Sequence, residues 1–419
     1  MSLCLALIVL LQDPPDAVVD AVRHYLQSGD AAALASVGED IAAVEKAVRI
    51  AMKREAPKKA GVEEREVASS VDAAVTIKYR LAVPEAATKG VACPLLITLH
   101  GAGGDAGEWL TARLAEIGEK RDFFVLAPQA GKAGWGQSTL GYDTVMAPLR
   151  DVMRRVPIDP DRVWLDGVSM GANGAWQIGS LFADRFAAIA PRGGTPYFVK
   201  VKGRDGQPDE LRMLYARNLK ALPVDWTYGA KDAGLPIDSV RGLAQILKGW
   251  RYDITVKELP EGGHDWFPEE SPRLLAWMTS KVRAADPPEL FFVTWERIFS
   301  RHTWIEILEV TAKESVKTPV KDFDGKVLET RTVFSTEVRV DARMNPKQNA
   351  IEVKCDGVKE LKLWLNGRLL DLSKPVIVRV NGKKAFEGRV ELSVQTMLDE
   401  VRRRGDPSRL YSASVTVKP

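Results

Sequence analysis

The chain has 419 residues, of which 45% are hydrophobic and 27% charged, enough for two or three domains with separate cores. The formal net charge is only +3 and no long basic block occurs, so no nucleic-acid partner is expected. The three cysteines, Cys4, Cys93 and Cys355, have neither a disulfide framework nor metal-ligand spacing, and we expect no metal or other cofactor.

Residues 1–15 are predicted to be a signal peptide, which implies a secreted or periplasmic protein. Leu3–Leu11 is an apolar run of suitable length that is too short to span a bilayer as a helix. Because no Lys or Arg precedes this run and no small-x-small cleavage site follows it, an amphipathic or misassigned start is the alternative interpretation. No other segment approaches about 18 uninterrupted apolar residues, so no stable membrane span is expected.

Residues 16–70 are predicted to form an N-terminal helical segment. The stretches "PDAVVDAVRHYLQ" and "DIAAVEKAVRIAMKRE" place apolar residues three and four positions apart, which is typical of amphipathic helices. We expect these helices to pack on the main domain that follows.

Residues 71–284 alternate between strand-like and helix-like patterns. The strand-like runs are "VTIKYRLAV", "PLLITL", "FFVLAPQ", "RVWLDG", "AAIAPRGG", "VDWTYG" and "ITVKELP". Helical stretches lie between most of them, so we predict an α/β domain with a doubly wound, mostly parallel sheet. In such a domain the functional site forms at the carboxyl ends of the strands.

Residues 285–419 are predicted to form a separate β-rich module, with a boundary near Pro287–Pro288. Asn366-Gly367 and Asn381-Gly382 each lie between apolar runs, a pattern that indicates type I′ hairpin turns. One helix, at about Val394–Arg403, interrupts the strands.

The stretch "DGVSMGANG" places Ser169 between a predicted strand and a predicted helix. A strand-to-helix turn this sharp leaves no room for side chains two residues before or after the serine, and glycines stand at both positions. A serine at this junction projects at the carboxyl edge of the sheet, where the helix dipole favours developing negative charge. We therefore predict that Ser169 is a nucleophile; the alternative is an ordinary glycine-rich loop.

The base and the acid of the triad are expected after the serine, in the chain order Ser, acid, His. His24 and His100 precede the serine and His302 lies in the C-terminal module, which leaves His264, in the loop "PEGGHDWFPEE". Asp232 lies just past the strand "VDWTYG" and is the expected acid. Asp238 is the alternative acid, whereas Asp225 lies inside the strand.

Two backbone amides are expected to bind the oxyanion that forms during catalysis. One belongs to Met170, the residue after the nucleophile. The other belongs to the glycine-rich stretch "HGAGGD", with Ala102 as the first choice and Gly103 as the second.

Several motifs of the chain resemble those of a known family. The motifs "LHGAGGD", "APQAGKAGWG", "DRVWLDGVSMGANGAWQIGSLFADRF", "YGAKD" and "GGHDWF" occur in the order seen in α/β-hydrolase serine esterases. The resemblance is to the feruloyl-esterase and polyhydroxybutyrate-depolymerase-like branch, related to carbohydrate esterase family 1, and it covers about half of the chain. It implies the α/β-hydrolase fold and the triad Ser169, Asp232 and His264. The chain departs from the pattern at Ala172-Asn173, where relatives often have a glycine and an aromatic residue.

Aromatic residues on loops at the same edge are candidates for binding substrate. Trp135, Trp266 and Tyr197 each follow a predicted strand of the sheet, and loop packing is the alternative role for each. In the C-terminal module, Trp295, Trp304 and Trp364 are candidates for an exposed surface, with core packing on the strands as the alternative.

The expected function is that of a serine carboxylesterase that forms an acyl-enzyme on a small-molecule or polymeric ester, including polysaccharide-linked esters. The C-terminal module is a candidate for contact with carbohydrate or with another protein. One alternative is a serine peptidase of the prolyl-oligopeptidase-like type, but residues 1–70 are too few for the propeller domain that such peptidases usually carry. The other is a binding protein on a hydrolase core, which predicts a missing triad member.

Overall fold

The computed structural model describes residues 13–118, 121–131, 134–136, 138–196, 199–201, 210–212, 215–235, 237–311, 314–321 and 326–419. The predicted signal peptide therefore lies mostly outside the described residues. In the described part of the chain, no helix is both long enough and apolar enough to cross a membrane.

The described helices are α1 (Asp16–Ser28), α2 (Ile41–Ala51), α3 (Glu85–Thr88), α4 (Ala106–Ile117), α5 (Thr139–Arg155), α6 (Met170–Leu181), α7 (Ile237–Gly249), α8 (Ser271–Thr279) and α9 (Val394–Arg404). Short 3₁₀ helices occur at Ala31–Ser36, Ala183–Arg185, Ala216–Ala221, Pro268–Glu270, Arg297–Phe299 and Pro346–Gln348.

The first ten strands are β1 (Gly61–Ala68), β2 (Thr76–Val83), β3 (Cys93–Leu99), β4 (Phe124–Pro128), β5 (Ile158–Val168), β6 (Ala188–Arg192), β7 (Val199–Val201), β8 (Glu210–Arg212), β9 (Val224–Gly229) and β10 (Ile254–Leu259). The remaining strands are β11 (Glu289–Thr294), β12 (Arg301–His302), β13 (Ile305–Val310), β14 (Glu314–Lys321), β15 (Val327–Phe334), β16 (Val338–Asn345), β17 (Ala350–Asp356), β18 (Val358–Leu365), β19 (Val376–Val380), β20 (Lys383–Gly388) and β21 (Ala413–Val417).

The central sheet has eight strands in the order β1-β2-β4-β3-β5-β6-β9-β10. The pairs β1–β2 and β2–β4 are antiparallel, and all other pairs are parallel. Helices α4 and α8 contribute to the apolar clusters on one face, and α5, α6 and α7 cover the other. This is the doubly wound α/β-hydrolase fold, so the predicted fold class is confirmed.

The central sheet begins ten residues before the predicted boundary at residue 71. Strand β1, at Gly61–Ala68, lies inside the segment that was predicted to be helical. It is an edge strand with no fully buried residue, and half of its sequence "GVEEREVA" is charged. A strand that packs so little against the core has no apolar run, which is why its period is weak in the sequence.

The C-terminal module is a β-sandwich. A five-stranded sheet, β11-β16-β17-β19-β20, and a four-stranded sheet, β12-β13-β18-β21, share one apolar core. Trp295, Trp304 and Trp364 are buried, at 3%, 0% and 7% exposure, so the expected aromatic surface on this module is wrong for all three. Long antiparallel strands β14 and β15 form an additional hairpin.

One of the two predicted hairpins is confirmed. Asn381 and Gly382 have φ values of 51° and 81° and join β19 to β20. Asn366 instead accepts hydrogen bonds from the amides of Arg368 and Leu369 through its side chain, and no strand follows it directly. The hairpin at Asn366-Gly367 is therefore wrong, because the asparagine closes a turn with its side chain.

From the sequence we expected the N-terminal helices to pack on the main domain. In the described part of the chain, their buried faces instead pack on the C-terminal module. Their apolar faces form one cluster with the module's helix α9. Met397, Leu398 and Val401 of α9 are fully buried in this cluster. The expectation is wrong because the three-four spacing of apolar residues shows that a helix has a buried face and does not show which element covers it.

A buried ionic cluster joins the sandwich to the α/β-hydrolase domain. The carboxylate of Asp184, which follows α6, accepts hydrogen bonds from Arg404 at 2.6 Å and from Arg409 at 3.0 Å. Arg283 pairs with Asp406 at 3.0 Å in the same region. Burial acts to raise the pKa of Asp184, but the charges of Arg404 and Arg409 outweigh it and hold the pKa well below its ordinary value.

Candidate active site

Ser169 stands at the turn between β5 and α6, with a left-handed backbone conformation at φ 54° and ψ −115°. A Cβ placed on Gly171 would lie 2.1 Å from the carbonyl oxygen of Leu99, and one on Gly167 would lie 2.4 Å from that of Gly171. Any side chain at these two positions would collide with backbone. The glycines are therefore required for the strained turn that exposes the serine side chain.

The three predicted triad residues come together in the structure. His264 Nε2 lies 2.8 Å from Ser169 Oγ, and His264 Nδ1 lies 2.8 Å from Asp232 Oδ2. The Asp232 side chain is fully buried, whereas that of His264 is 44% exposed. The imidazole thus connects a buried carboxylate to a hydroxyl at the solvent side, as a base needs to do.

Asp232 is held by the loop that follows β9. Its Oδ1 accepts a hydrogen bond from the Gly234 amide at 2.8 Å, which leaves Oδ2 for the histidine. The other two carboxylates considered from sequence are placed elsewhere. Asp225 pairs with Arg273 at 2.7 and 2.9 Å, and Asp238 is fully exposed on α7.

The glycine-rich stretch after β3 forms a tight turn beside the nucleophile. The Gly104 amide donates to the carbonyl of Gly101 at 3.2 Å, and Gly103 has φ 72°, the pattern of a type II turn with Ala102 and Gly103 at its centre. A Cβ placed on Gly101 would lie 3.6 Å from that of Ser169. Met170 is the first residue of α6, where helix amides have no partner within the helix.

His100 supports this turn, a role that the sequence analysis did not assign. The Ala130 amide donates to His100 Nε2 at 3.2 Å, so Nδ1 carries the proton and donates to the Gly101 carbonyl at 2.7 Å. Burial lowers the pKa of His100, which keeps the ring neutral. The signal in the sequence was the position of this histidine, directly before the glycines.

Trp135 is not available to a substrate. Its side chain is fully buried, donates from Nε1 to the His100 carbonyl at 2.9 Å, and meets the His100 ring edge to face. The prediction that Trp135 binds substrate is therefore wrong, and the residue packs beneath the turn. Tyr197, the third predicted aromatic, lies outside the described residues.

Trp266 is also placed differently from the prediction. The residue is only 8% exposed, the guanidinium groups of Arg113 and Arg192 both lie over its ring, and Nε1 donates to Glu116 at 2.8 Å. These contacts bury the ring, so the predicted stacking of a substrate on Trp266 is wrong. No local pattern reveals this because the two arginines come from α4 and β6.

Within the described residues, no group of three or more His, Cys, Asp or Glu side chains is arranged to hold a metal ion. The site consists of a serine, an imidazole, a carboxylate and backbone amides. This set can perform nucleophilic acyl transfer without a further group.

No protein-family model and no curated protein matches the chain. Among solved structures, a thermostable esterase is 22% identical with a TM-score of 0.43, over 53% of this chain and 63% of that one. The matched part is thus less than two thirds of that esterase. A ferulic acid esterase is 19% identical with a TM-score of 0.41, over 53% of this chain and 98% of that one. A CE1 ferulic acid esterase from Anaeromyces mucronatus in complex with ferulic acid is 16% identical with a TM-score of 0.39, over 54% and 93%.

Proposed function

We propose that this chain is a serine carboxylesterase. The observation that carries the proposal is the unbroken line from Asp232 through His264 to Ser169, with both contacts at 2.8 Å, at a strained strand-to-helix turn. If Ser169 only packed against its neighbours, the turn would need neither a positive φ at the serine nor glycines that no other residue can replace.

In the proposed mechanism Ser169 Oγ attacks the ester carbonyl carbon while His264 Nε2 takes the hydroxyl proton. Asp232 accepts the Nδ1 proton in a hydrogen bond and stabilises the imidazolium. The amides of Met170 and Ala102 donate to the oxyanion, with Gly103 as the second choice for the latter. When the C–O bond breaks, His264 gives its proton to the leaving alcohol; water then attacks the acyl-enzyme by the same route and releases the acid.

The test is hydrolysis of p-nitrophenyl acetate, butyrate and octanoate by the purified chain and by Ser169→Ala. Turnover that depends on Ser169 is the expected result, and the preference among the three chain lengths measures the acyl pocket. Labelling by a fluorophosphonate probe gives an independent readout, because it needs the activated serine and no ester. A folded protein that neither hydrolyses these esters nor reacts with the probe would overturn the proposal.

The finer part of the proposal concerns the substrate and the compartment. We infer from the sequence motifs that the ester is linked to a polysaccharide or another polymer and that the protein is exported. Release of ferulate from methyl ferulate and of acetate from acetylated xylan tests the first inference; hydrolysis of p-nitrophenyl esters alone would contradict it. Amino-terminal sequencing of the protein recovered outside the cytoplasm tests the second, and a start at Met1 would contradict cleavage.

A further inference from the structure

On its amino-terminal side, the loop that carries His264 is attached through its backbone, because the Lys231 amide donates to the Gly262 carbonyl at 2.9 Å. Gly262 and Gly263 precede the histidine, and a Cβ placed on Gly263 would meet no atom within 4 Å. Glycines leave the backbone free to adopt many conformations. These two glycines provide no side-chain contact, so side-chain support for the loop comes from the residues that follow the histidine.

Trp266, two residues after His264, anchors the other side of this loop through its side chain. The guanidinium carbon of Arg192 lies 3.5 Å from the ring centroid, and that of Arg113 lies 4.4 Å from it. The ring of Trp109 meets Trp266 edge to face at 4.8 Å. The Nε1–H group donates to Glu116, which also accepts from Ser271 at 2.7 Å.

The backbone around Trp266 is held by the same arginine. Arg192 Nη1 donates to the carbonyl oxygens of Trp266 and Phe267, at 3.3 and 3.4 Å, and to Ser271 Oγ at 2.8 Å. Phe267 has φ 55°, a conformation that a bulky residue keeps only when its surroundings impose it. A Cβ on Gly193, next to Arg192, would lie 2.9 Å from the carbonyl oxygen of Asp265, so the two backbones are in contact.

The same cluster reaches the nucleophile. The carbonyl oxygen of Arg192 accepts the hydrogen bond of the Ser169 amide at 3.0 Å. Asp166, three residues before Ser169 on β5, is fully buried and pairs with Arg113 at 3.0 Å. Burial lowers the pKa of Arg192 to about 9 against the opposing charge of Asp166, so its guanidinium still carries its charge at neutral pH. We name Arg113, Glu116, Asp166, Arg192 and Trp266 the arginine–tryptophan cluster.

We propose that Trp266 is a positioning residue for His264: the arginine–tryptophan cluster fixes the base loop to the two strands that hold the nucleophile turn. This inference rests on the proposed serine hydrolase activity. The described hydrogen bonds and ring contacts of the Trp266 side chain are with Glu116, Arg113, Arg192 and Trp109, so its effect on the triad is exerted through the loop. The expected signature is loss of turnover with unchanged substrate affinity, because the substrate meets the same surface while the proton acceptor is displaced.

The experiment compares the full-length chain with Trp266→Leu, Trp266→Phe and the control Trp277→Leu. Trp277 lies on α8 with Lys281 5.2 Å from its ring centroid, and it packs on an apolar cluster that includes no residue of the arginine–tryptophan cluster. For each protein kcat and KM for p-nitrophenyl acetate, the second-order rate of fluorophosphonate labelling and the thermal midpoint are measured. Circular dichroism checks that every variant is folded at the assay temperature.

For Trp266→Leu we expect kcat and the labelling rate to fall by about 100-fold, with KM within about threefold. Trp266→Phe keeps an aromatic ring against the guanidinium groups and loses the bond to Glu116, so we expect a fall of only about tenfold. Trp277→Leu should leave both rates within about twofold of the original, since α8 keeps its other contacts.

Two results would overturn the positioning role. One is a Trp266→Leu protein that is folded and labels at the original rate; the other is a loss confined to thermal stability, with Phe no better than Leu. If Trp266→Leu does not fold, Glu116→Gln, which keeps the volume and weakens the bond to Nε1, replaces it with an expected loss of about threefold in kcat. An original chain that reacts with neither ester nor probe overturns the proposed function itself, and this outcome is distinct from the first two.

Discussion

The backbone amide of Ser169 donates its hydrogen bond to the carbonyl oxygen of Arg192, at 3.0 Å. The amide of the nucleophile is therefore occupied by the neighbouring strand β6. It follows that an oxyanion would have to be bound by the next amide, that of Met170, together with an amide of the turn after β3. In the turn after β3, a single substitution can therefore remove one of the proposed oxyanion donors.

Ala102→Pro should reduce turnover without disturbing the turn. Ala102 occupies the second position of a type II turn, where proline is common, and the substitution removes its N–H group. If this amide binds the oxyanion, kcat should fall by about 100- to 1000-fold. Steady-state kinetics with p-nitrophenyl acetate measure the effect, and Ala102→Ser, which keeps the amide, is the matched control. Equal activity of the proline variant would move the second donor to Gly103.

Asp232→Asn should leave the fold intact and reduce kcat by about 10³- to 10⁴-fold. The amide side chain fills the same space, but it no longer holds the proton on His264 Nδ1 in the tautomer that leaves Nε2 free to accept. The control is Asp238→Asn, at a fully exposed carboxylate, which should behave as the original chain does. The assignment of the acid would be wrong if the two variants lost activity to a similar degree.

The catalytic strands were predictable from sequence because parallel strands buried on both faces appear as short apolar runs. The glycine pattern around Ser169 was equally direct, since steric exclusion at Gly167 and Gly171 leaves one residue type. Trp135 and Trp266 were misplaced because burial of a loop aromatic depends on residues distant in sequence. For Trp266 the partners are Arg113 and Arg192, which no local period connects with the histidine loop.

Glu329→Ala should loosen the contact between the β14–β15 hairpin and the α/β-hydrolase domain. The Glu329 carboxylate accepts from the Thr139 amide, at 2.9 and 3.1 Å, at the first residue of α5. A carboxylate at a helix N-terminus satisfies a free amide and opposes the helix dipole. We expect a loss of about 1 kcal/mol in the free energy of unfolding, measured by urea denaturation. Thr330→Ala, next along β15, is the control, and an equal loss there would contradict the capping role.

His302→Phe should make folding less sensitive to mild acid. His302 is fully buried, stacks on Phe292 with ring centroids 5.6 Å apart, and lies close to Asp184 and Arg409. Burial lowers the pKa of His302 from 6.5 to about 4, against the attraction of Asp184. The unfolded chain therefore takes up this proton first, so stability is lost as the pH falls from 6.5 towards 4.

The phenylalanine variant removes this proton site, and the loss of stability across that range should shrink by roughly 3 kcal/mol. Urea denaturation at a series of pH values measures it. His24→Ala, at an exposed histidine of α1, is the control and should keep the original slope. The lowered pKa of Asp184 contributes at more acidic pH, so it does not obscure this range. If the free energy of unfolding changed with pH in the same way for all three proteins, His302 would not be the source of the acid sensitivity.

The packing of α1 and α2 against α9 has a consequence for how the chain is made. Tyr25 and Asp399, joined by a hydrogen bond, are 374 residues apart. At roughly 5–20 residues per second, a ribosome needs about 20 to 75 s to add the chain between them. Throughout that time α9 is not yet available to bury its apolar partners on α1 and α2, which include Val22, Val44 and Val48. The α/β-hydrolase domain has all its strands well before then, so the first helices synthesised are among the last parts of the molecule to fold, and they need protection from aggregation in the interval.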